Sequence, residues 1–447
     1  MTAQEFINAL FAKARAAGIA EFEAYFSSGS NFDVDILDGE IREYTVSSSS
    51  GCGFRGVYNG KMGYASTQIL DESAVDMLVE GVKTNAQLIE TDDGETIYEG
   101  DDDYPVFDTD PARAEMSPAD KIELSKQLEL KVKALDNRIK RVEGCGVGSV
   151  SGEIRLVNSK GLDISHSFAM IGGGVAAIAE EDGKPNFGFS IKNVYDKSQF
   201  DIDVLAKEAV ESAVSKLGAG SIPSGEYRCI FRQDAASTVP ATFAGVFSGE
   251  AARKGMSLLK GKEGEMIASE AVTLTDNPLL EGGLSSSPFD CEGVKSRSKD
   301  VIKNGRLETL LHNRLTAKLL GTQTTGNASK VGLSGKIVVS PTNLYIQPSE
   351  TSFDALAAKV ENGIVITELM GMHSGANMIT GDFSLGAKGF MIENGKVTRP
   401  IEQFTIASNF FEWLKNIVCV ADDISYGRRS VMSPSLYISA IKVAGKE

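Results

Sequence analysis

Residues 372–396, MHSGANMITGDFSLGAKGFMIENGK, bring together the polar side chains that could do chemistry in this chain. The candidates follow one another at short intervals between glycines, and they are His373, Ser374, Asn377, Asp382 and Ser384. His373 with Asp382 could form an oriented imidazole, but a Ser374–His373 nucleophile and base is disfavoured, because neighbouring residues on a strand point to opposite faces. The alternative, which we favour, is that His373, Asn377 and Asp382 bond backbone groups within a tight turn.

The histidine supply argues against a zinc site built by this chain alone. Three histidines occur in 447 residues, His166, His312 and His373, and none is followed by glutamate. A zincin helix needs two histidines one turn apart with a glutamate beside them. The sequence also has no GxSxG elbow and no GxxxxGK[ST] phosphate loop, and GGGVAA at 172–177 has the context of a strand.

Two weaker candidates remain, a thiol and an acidic segment. Cys291, in the stretch DCEG, has no basic neighbour in sequence to lower the pKa of its thiol, which favours a structural role over a reactive one. Acidic residues crowd positions 92–110, and no basic residue lies between Lys83 and Arg113. The acidic segment lacks EF-hand spacing, so we expect a solvated connector rather than a cation site.

The overall charge narrows the possible partners. The chain has 45 basic and 61 acidic residues, a net charge of −16, which repels phosphate backbones. No stripe of lysine and arginine is present, so we expect no nucleic-acid partner.

No apolar run approaches the roughly 20 residues that span a bilayer, so we expect no membrane partner. Five scattered cysteines without a CxxC pair, and no signal-peptide pattern, predict a cytoplasmic protein.

The first half of the chain shows helices alternating with strands. Thr2 and Glu5 have capping-box spacing, which predicts a helix over 2–17. Short strands are expected from 20 to 67, with Asn59-Gly60 as a hairpin turn, and a helix is expected over 72–89. The series then continues with a helix starting at Ser117-Pro118, strands over 139–193 and a helix over 202–217.

This order is an internal repeat. Gly51 and Gly53 correspond to Gly172 and Gly174, each 121 residues later, and Gly63 corresponds to Gly188. The turn at 59–61 corresponds in the same way to the turn at 182–184. We therefore predict that residues 1–220 form one α+β domain made of two related halves, each a helix and antiparallel-sheet unit.

The second half is mostly strand. GAGSIPSGEY at 218–227 is rich in Gly, Ser and Pro and predicts a domain boundary. Beyond it, hairpin turns are expected at Asn304-Gly305 and Asn394-Gly395. Helices are expected over 234–252, 313–320 and 352–361. Residues 221–447 are therefore predicted to form a mostly antiparallel β domain, barrel-like and closed or nearly so, with a few helices.

Three stretches together resemble the TldD/PmbA family. They are GRLETLLHNRLTAKLLGTQTTGNAS at 305–329, HSGANMITGDFSLGAKGFMIENGKVTRPIEQFTIASN at 373–409 and SPSLYISAIKVAG at 433–445. The chain length and the glycine-punctuated first half agree, so the resemblance covers essentially the whole chain. In this family one subunit, TldD, carries a zinc peptidase site made of an HExxxH helix and a late cysteine. The PmbA/TldE subunit lacks these ligands, and the two assemble to trim unfolded peptides.

The resemblance implies that this chain is the PmbA/TldE-type subunit. GEAARKGMS at 249–257 looks like the segment that follows the zinc helix, and counting back places Pro240, Ala241 and Gly245 where the family has His, Glu and His. None of these side chains can bind zinc or move a proton. The late cysteine is missing too, because Cys419 lies too early, in an apolar stretch that looks helical.

The expected function is then that of a non-catalytic subunit of a metallopeptidase complex that processes unfolded peptides. The resemblance implies no catalytic residue, metal or cofactor in this chain, and zinc in a TldD-type partner. The polar residues of 373–384 would line the peptide channel. Two alternatives stay open. One is a stand-alone peptidase using His373, Asp382 and Glu250, or acting as a homodimer. The other is a regulator that binds a topoisomerase, following the family's older label of DNA gyrase modulator.

Overall fold

The computed structural model describes residues 1–90, 94–107 and 110–446. The predicted acidic connector at 92–110 therefore lies partly outside the described residues. Within the described part, no helix is both long and apolar enough to cross a bilayer.

The N-terminal half is built on one antiparallel sheet of six strands in the order β3-β2-β1-β4-β5-β6. Its strands are β1 (Phe22–Leu37), β2 (Glu40–Tyr58), β3 (Lys61–Thr67), β4 (Ile139–Asn158), β5 (Asp163–Glu181) and β6 (Lys184–Val194). Its helices are α1 (Ala3–Ala16), α2 (Glu72–Leu88), α3 (Pro118–Leu135) and α4 (Ile202–Val214). The expectation of short strands over 20–67 was wrong: β1 and β2 have 16 and 19 residues, because the exposed polar stretch around Ser47–Ser50 continues the ladder with β1.

The two predicted halves meet at the centre of this sheet. β1 pairs with β4 so that Ser30 lies opposite Ser151, and their hydroxyl oxygens are 2.8 Å apart. These residues are 121 positions apart, which is also the offset that relates Gly51 to Gly172. The pair therefore lies on an approximate two-fold axis, and the predicted duplication is confirmed.

Matching glycines hold the second helix of each half against its hairpin. A Cβ at Gly63 of β3 would overlap the Val82 carbonyl of α2, and a Cβ at Gly188 of β6 would overlap the Ala209 carbonyl of α4. The hairpin turns before them also match. Both residues of each turn have positive φ, 49° and 79° at 59–60 and 52° and 74° at 182–183, as a type I′ turn requires.

Local signals at the helix ends agree with the sequence. The Thr2 hydroxyl accepts from the Glu5 N–H, and the Glu5 carboxylate accepts from the Thr2 N–H. The Ser117 hydroxyl caps α3 by accepting from the Asp120 N–H, and Pro118 occupies the first helical position. The inward face of α1 packs Phe6 and Leu10 into a cluster of fully buried apolar side chains, each of which stabilises the fold by about 1.5–3 kcal/mol.

The C-terminal half contains a closed barrel, as predicted. Its five strands are β7 (Gly225–Phe231), β14 (Gly363–Met370), β15 (Asp382–Glu393), β16 (Lys396–Asn409) and β19 (Leu436–Ala444). The order β16-β15-β14-β7-β19 closes because β16 also pairs with β19, and β17 (Ile417–Val420) pairs with β19 outside the closed ring. A five-stranded sheet contains β8 (Leu274–Asp276), β9 (Lys299–Lys303), β10 (Arg306–Leu307), β13 (Leu344–Ile346) and β18 (Val431–Met432). β11 (Ala328–Lys330) and β12 (Ile337–Val339) form a pair.

The C-terminal half also contains six α-helices. They are α5 (Gln233–Phe243), α6 (Gly249–Arg253), α7 (Arg314–Leu320), α8 (Phe353–Val360), α9 (Met372–Gly375) and α10 (Phe410–Lys415). The prediction of one helix over 234–252 was wrong. α5 ends at Phe243, a 3-10 turn covers Ala244–Phe247, and the Ser248 hydroxyl starts α6 by accepting from the Ala251 N–H.

The barrel has a core on each face of β7. Cys229 and Phe231 point into the larger core, which includes α5 and the stacked Phe243–Phe410 pair at 4.8 Å between ring centroids. Ile230, between them, belongs to the core under α8. The two cores therefore separate α5 from α8, since successive side chains of a strand point to opposite faces.

The acidic connector is not simply solvated. In its described part, the Tyr104 hydroxyl donates to the Gly293 carbonyl at 2.6 Å, and the Lys295 N–H donates to the Asp101 carboxylate at 2.8 Å. Ile97 is fully buried. The expectation was wrong there because these side chains find partners in the C-terminal half that are distant in sequence. The division of the chain after residue 220 stays a prediction.

Candidate functional site

The three positions that the resemblance assigns to zinc ligands lie at the end of α5 and just beyond it. Pro240 is buried in the helix, whereas Ala241 and Gly245 are exposed to solvent. The nearby hydroxyls of Ser237 and Thr238 are engaged, because each donates to the carbonyl four residues earlier. This helix end offers no side chain that could ligate zinc, so the residues present do not fit the metal.

The segment that runs beside α5 contains arginines and serines. The Ser433 N–H donates to the Ser237 hydroxyl at 2.9 Å, which fixes β18 and the residues around it against the helix. Arg429 reaches Asp234 at 3.0 Å. Cys419 lies elsewhere: it is in strand β17, not in a helix as expected, and its sulfur packs in the core under α8. The apolar run around Cys419 is a strand because it pairs with β19.

The described residues do not form a cluster of side chains that could bind a metal ion. Among residues 1–90, 94–107 and 110–446, no three His, Cys, Asp or Glu side chains are grouped so that they could hold an ion. The three histidines lie in three different environments. His166 lies between Phe107 and Phe168, His312 is buried beside Thr316, and His373 is exposed.

The stretch that suggested an active site is an exposed turn. His373 and Ser374 lie in the single helical turn α9, so our premise that they share a strand was wrong. The turn forms because Gly371 has a φ of 85°, and the Gly375 N–H returns to its carbonyl at 2.8 Å. His373 makes no hydrogen bond or ion pair with any described residue.

Asn377 and Asp382 fix the turn that follows α9. The Asn377 side-chain oxygen accepts from the N–H groups of Ile379 and Thr380, at 3.0 and 3.2 Å. The Asp382 carboxylate accepts from the Asn409 amide at 2.9 Å and the Thr380 hydroxyl at 2.8 Å, and these two bonds lower the pKa of Asp382. Ser384, two residues along β15, is exposed. A peptide-binding role for His373, Ser374, Asn377, Asp382 and Ser384 stays a prediction.

The residues of the proposed stand-alone site do not contact one another. Glu250 is bonded to Lys254 at 2.8 Å on its own helix. Asp382 is occupied by Asn409 and Thr380, and His373 contacts neither acid. The structure therefore gives no nucleophile, base and orienting group in mutual reach.

Cys291 is half-buried in a group of charged residues that the sequence did not reveal. Burial, followed by the charge of Asp290, raises the pKa of the Cys291 thiol to about 12. Lys330 does lie near it, contrary to the expectation of no basic neighbour, but its charge lowers the pKa less than burial raises it. Such a thiol is protonated at neutral pH, in line with a structural role.

The sequence also did not reveal a buried ion-pair group centred on Arg55. The guanidinium donates to Glu23 at 2.8 Å and to Glu95 at 3.3 Å, and it lies 3.7 Å from Glu292. The Arg55 side chain is 3% exposed. The only signal in the sequence was an arginine among apolar strand residues in GCGFRGVY, and its partners come from three separate segments.

A cleft of about 980 Å³, here called the β6 cleft, lies between the two halves of the chain. One side is formed by β6 and α4, with Phe187 and Phe189 exposed. The other side is formed by the ends of β14 and β15, the start of α5 and the pair Arg428 and Arg429. Thr238 of α5 also lines it, so the β6 cleft reaches the helix that contains Pro240.

Charged side chains of both signs line the β6 cleft, and most of the basic ones are paired with carboxylates. Lys216 is paired with Glu368, and Arg428 is paired with Glu208. Lys388 donates to the Asn186 side-chain oxygen at 3.2 Å. Burial, followed by the charge of Lys388, lowers the pKa of Lys216 to about 8.

Comparison with known proteins identifies the family. Models of the PmbA/TldA metallopeptidase domain 1, central domain and C-terminal domain match residues 22–86, 112–217 and 224–445. A metalloprotease PmbA homologue of Haemophilus influenzae is 30% identical over 446 residues, covering 96% of this chain and 93% of the relative. The chain belongs to the PmbA/TldD family. The metalloprotease PmbA of Escherichia coli is 27% identical, covering 95% of this chain and 92% of that protein.

Solved structures of the PmbA/TldD family have the same fold. A proposed modulator of a DNA gyrase from Thermotoga maritima superposes with a TM-score of 0.91 and 32% identity, covering 99% of this chain and all of that one. TldE from Thermococcus kodakarensis has a TM-score of 0.89 at 23% identity, covering 98% and 100%. The second likeness shows the fold alone.

Proposed function

We propose that this chain is a non-catalytic subunit of a PmbA/TldD-type metallopeptidase complex that processes unfolded peptides. The observation that carries the proposal is the identity of the residues at the family's ligand positions, Pro240, Ala241 and Gly245. Peptide hydrolysis by zinc needs imidazole or carboxylate ligands and a base that activates water. Neither function is available from an imino ring, a methyl group or a glycine, so the zinc belongs to a TldD-type partner subunit.

The proposed role of this chain is to complete the peptide channel. The turn at 372–384 supports it, because Met378 and Ile379 are 60% and 48% exposed beside the polar candidates. Exposed apolar side chains next to exposed hydrogen-bonding groups suit a surface that accepts extended peptide without strict sequence preference. Contact with the partner subunit or with a second copy of this chain would complete the channel wall.

Two other functions have less support. A stand-alone peptidase using His373, Asp382 and Glu250 needs contacts that the described residues do not make. Binding to a topoisomerase rests on the description of the Thermotoga relative, and a net charge of −16 disfavours direct contact with DNA. A cytoplasmic location is part of the proposal, because peptide processing with five free cysteines suits a reducing compartment.

The proposal is tested by cleavage of an unfolded peptide and by metal analysis. Purified chain alone is expected to hold no zinc and to leave the peptide intact. Addition of a TldD-type partner is expected to give cleavage that a chelator abolishes. Cleavage by the chain alone, or stoichiometric zinc in it, would overturn the proposal.

A further inference from the structure

β6 is an edge strand, and part of its free edge faces the β6 cleft. The Asn193 N–H points away from β5, since it donates to the Gly427 carbonyl at 2.8 Å. The register between β5 and β6 has no bulge, and N–H directions alternate along an antiparallel strand. The N–H groups of Phe187, Phe189 and Ile191 therefore also point outward, and no strand of the described chain lies there.

The β6 cleft follows this edge rather than one face of the sheet. Phe187 and Phe189 line it from one face of β6, and Ser190 and Glu208 line it from the face that packs against α4. A groove that includes both faces of an edge strand has the shape that an added strand would fill. Backbone groups of an extended peptide would pair with the outward N–H and C=O groups of β6.

The walls of the β6 cleft suit apolar side chains. Phe187 and Phe189 are 45% and 47% exposed although both are aromatic. Met370 and Phe390 line the opposite wall. Alternate side chains of an added strand would point toward these groups, because side chains alternate along a strand.

One end of the β6 cleft is short of negative charge. Lys388 donates to the Asn186 side-chain oxygen, and among the described residues it has no carboxylate partner. The neighbouring Lys216 has a 5% exposed side chain and is paired with Glu368. Burial lowers the pKa of Lys216 most, and repulsion by the Lys388 ammonium lowers it further, which outweighs the charge of Asp234. A second carboxylate at this point would relieve that repulsion.

We propose that the β6 cleft binds the C-terminal end of an extended peptide, with the peptide main chain paired to β6 and its terminal carboxylate between Lys388 and Lys216. This inference rests on the proposed peptide-processing function, because that function makes unfolded peptides the ligands. Hydrolysis of a peptide bond also creates a new terminal carboxylate on one product. The β6 cleft can therefore hold such a product as well as an intact substrate.

The test is fluorescence anisotropy with an unfolded decapeptide, labelled at its N-terminus, and the purified full chain. Two probes are compared, one with a free C-terminal carboxylate and one with a C-terminal amide. The free acid is expected to bind about tenfold more tightly, because a charge-assisted bond replaces a neutral one.

Lys388→Gln is expected to remove this difference without changing amide binding. Phe189→Ala is expected to weaken both probes alike. Lys415→Gln, an exposed lysine paired with Glu412 outside the cleft, is the matched control.

Equal affinity for acid and amide, or an unchanged preference in Lys388→Gln, would overturn the carboxylate assignment. No binding of either probe would overturn the cleft as a peptide site. Circular dichroism shows whether each variant is folded, and the outward amides of Phe187, Phe189 and Ile191 are expected to gain hydrogen-exchange protection with the free acid. These measurements use neither a partner nor cleavage, so their failure is separate from failure of the proposed subunit role.

Discussion

The guanidinium of Arg55, in the N-terminal sheet, lies 3.7 Å from the carboxylate of Glu292, in the C-terminal half. Both side chains are almost completely buried, at 3% and 1% exposure. A buried charge requires a partner, and this ion pair connects the two halves of the chain. The two halves are therefore joined in part by buried charge.

Replacement of Arg55 with methionine is expected to lower the free energy of unfolding by about 3–5 kcal/mol, because Glu23, Glu95 and Glu292 lose their shared cation. Denaturant titration followed by circular dichroism measures the change. Arg42→Met is the control, since Arg42 pairs with Asp35 at the surface and is 47% exposed; a change within about 1 kcal/mol is expected there. Equal effects of the two substitutions would contradict this account.

Asp290 is expected to make the free energy of unfolding fall as the pH rises from about 4 to 7. Burial, followed by the charge of Glu292, raises the pKa of Asp290 to about 7. Between its ordinary value and this one, the folded state holds a proton that the unfolded state has released. Stability from this group is therefore complete at low pH and is lost as the pH rises through 7.

The measurement is the free energy of unfolding of the unaltered chain and of Asp290→Asn at pH 5, 6, 7 and 8. The difference between the two is the informative quantity, because burial lowers the pKa of His166 and His312 and their effect has the opposite sign below about pH 6.5. The unaltered chain should lose more stability than the variant over this range. Parallel curves would show that Asp290 is ionised in the folded chain.

Gly63→Ala and Gly188→Ala are each expected to lower the melting temperature. In both, the added Cβ would overlap a helix carbonyl, and the helix must move away from its hairpin at a cost of about 1–3 kcal/mol. Gly144→Ala, on β4, is the control because no heavy atom lies within 4 Å of the added Cβ. A large effect in only one of the two equivalent positions would show that the halves pack their helices differently.

Asn377→Ala is expected to destabilise the turn by about 1 kcal/mol, because two N–H groups lose their acceptor. Ser374→Ala should leave stability unchanged, since Ser374 is exposed. Peptide cleavage by the complex of each variant with a TldD-type partner distinguishes a structural role of the turn from a role in lining the peptide channel. Reduced cleavage by folded Ser374→Ala supports the channel proposal, and unaffected cleavage by both variants would remove it.

Features set by neighbours in sequence were predictable. Capping at Thr2 and Ser117 and the hairpin turn at Asn304-Gly305 depend on a few adjacent residues, and the structure shows them as expected. The repeat was visible because glycines needed for close packing recur at matching positions. The assignment of residues 240, 241 and 245 to zinc-ligand positions rests on the resemblance and stays a prediction.

Features that depend on contact between distant segments were not predictable. The connector looked solvated because Tyr104 and Asp101 find their partners about 190 residues later. Arg55 draws its three carboxylates from separate segments, and the β6 cleft exists only when β6 lies against β14, β15 and α5. The break after α5 was missed because Ser248 starts a new helix inside what looked like one amphipathic run.

The pairing of Ser30 with Ser151 has a consequence for the chain as it leaves the ribosome. β1 can complete its ladder only when β4 emerges, 121 residues later, a delay on the order of ten seconds at typical synthesis rates. During that time one edge of β1 has no partner and could pair with another nascent chain. The middle of β1 reads SSGSN at 27–31, and the lack of apolar side chains there disfavours pairing with another nascent chain.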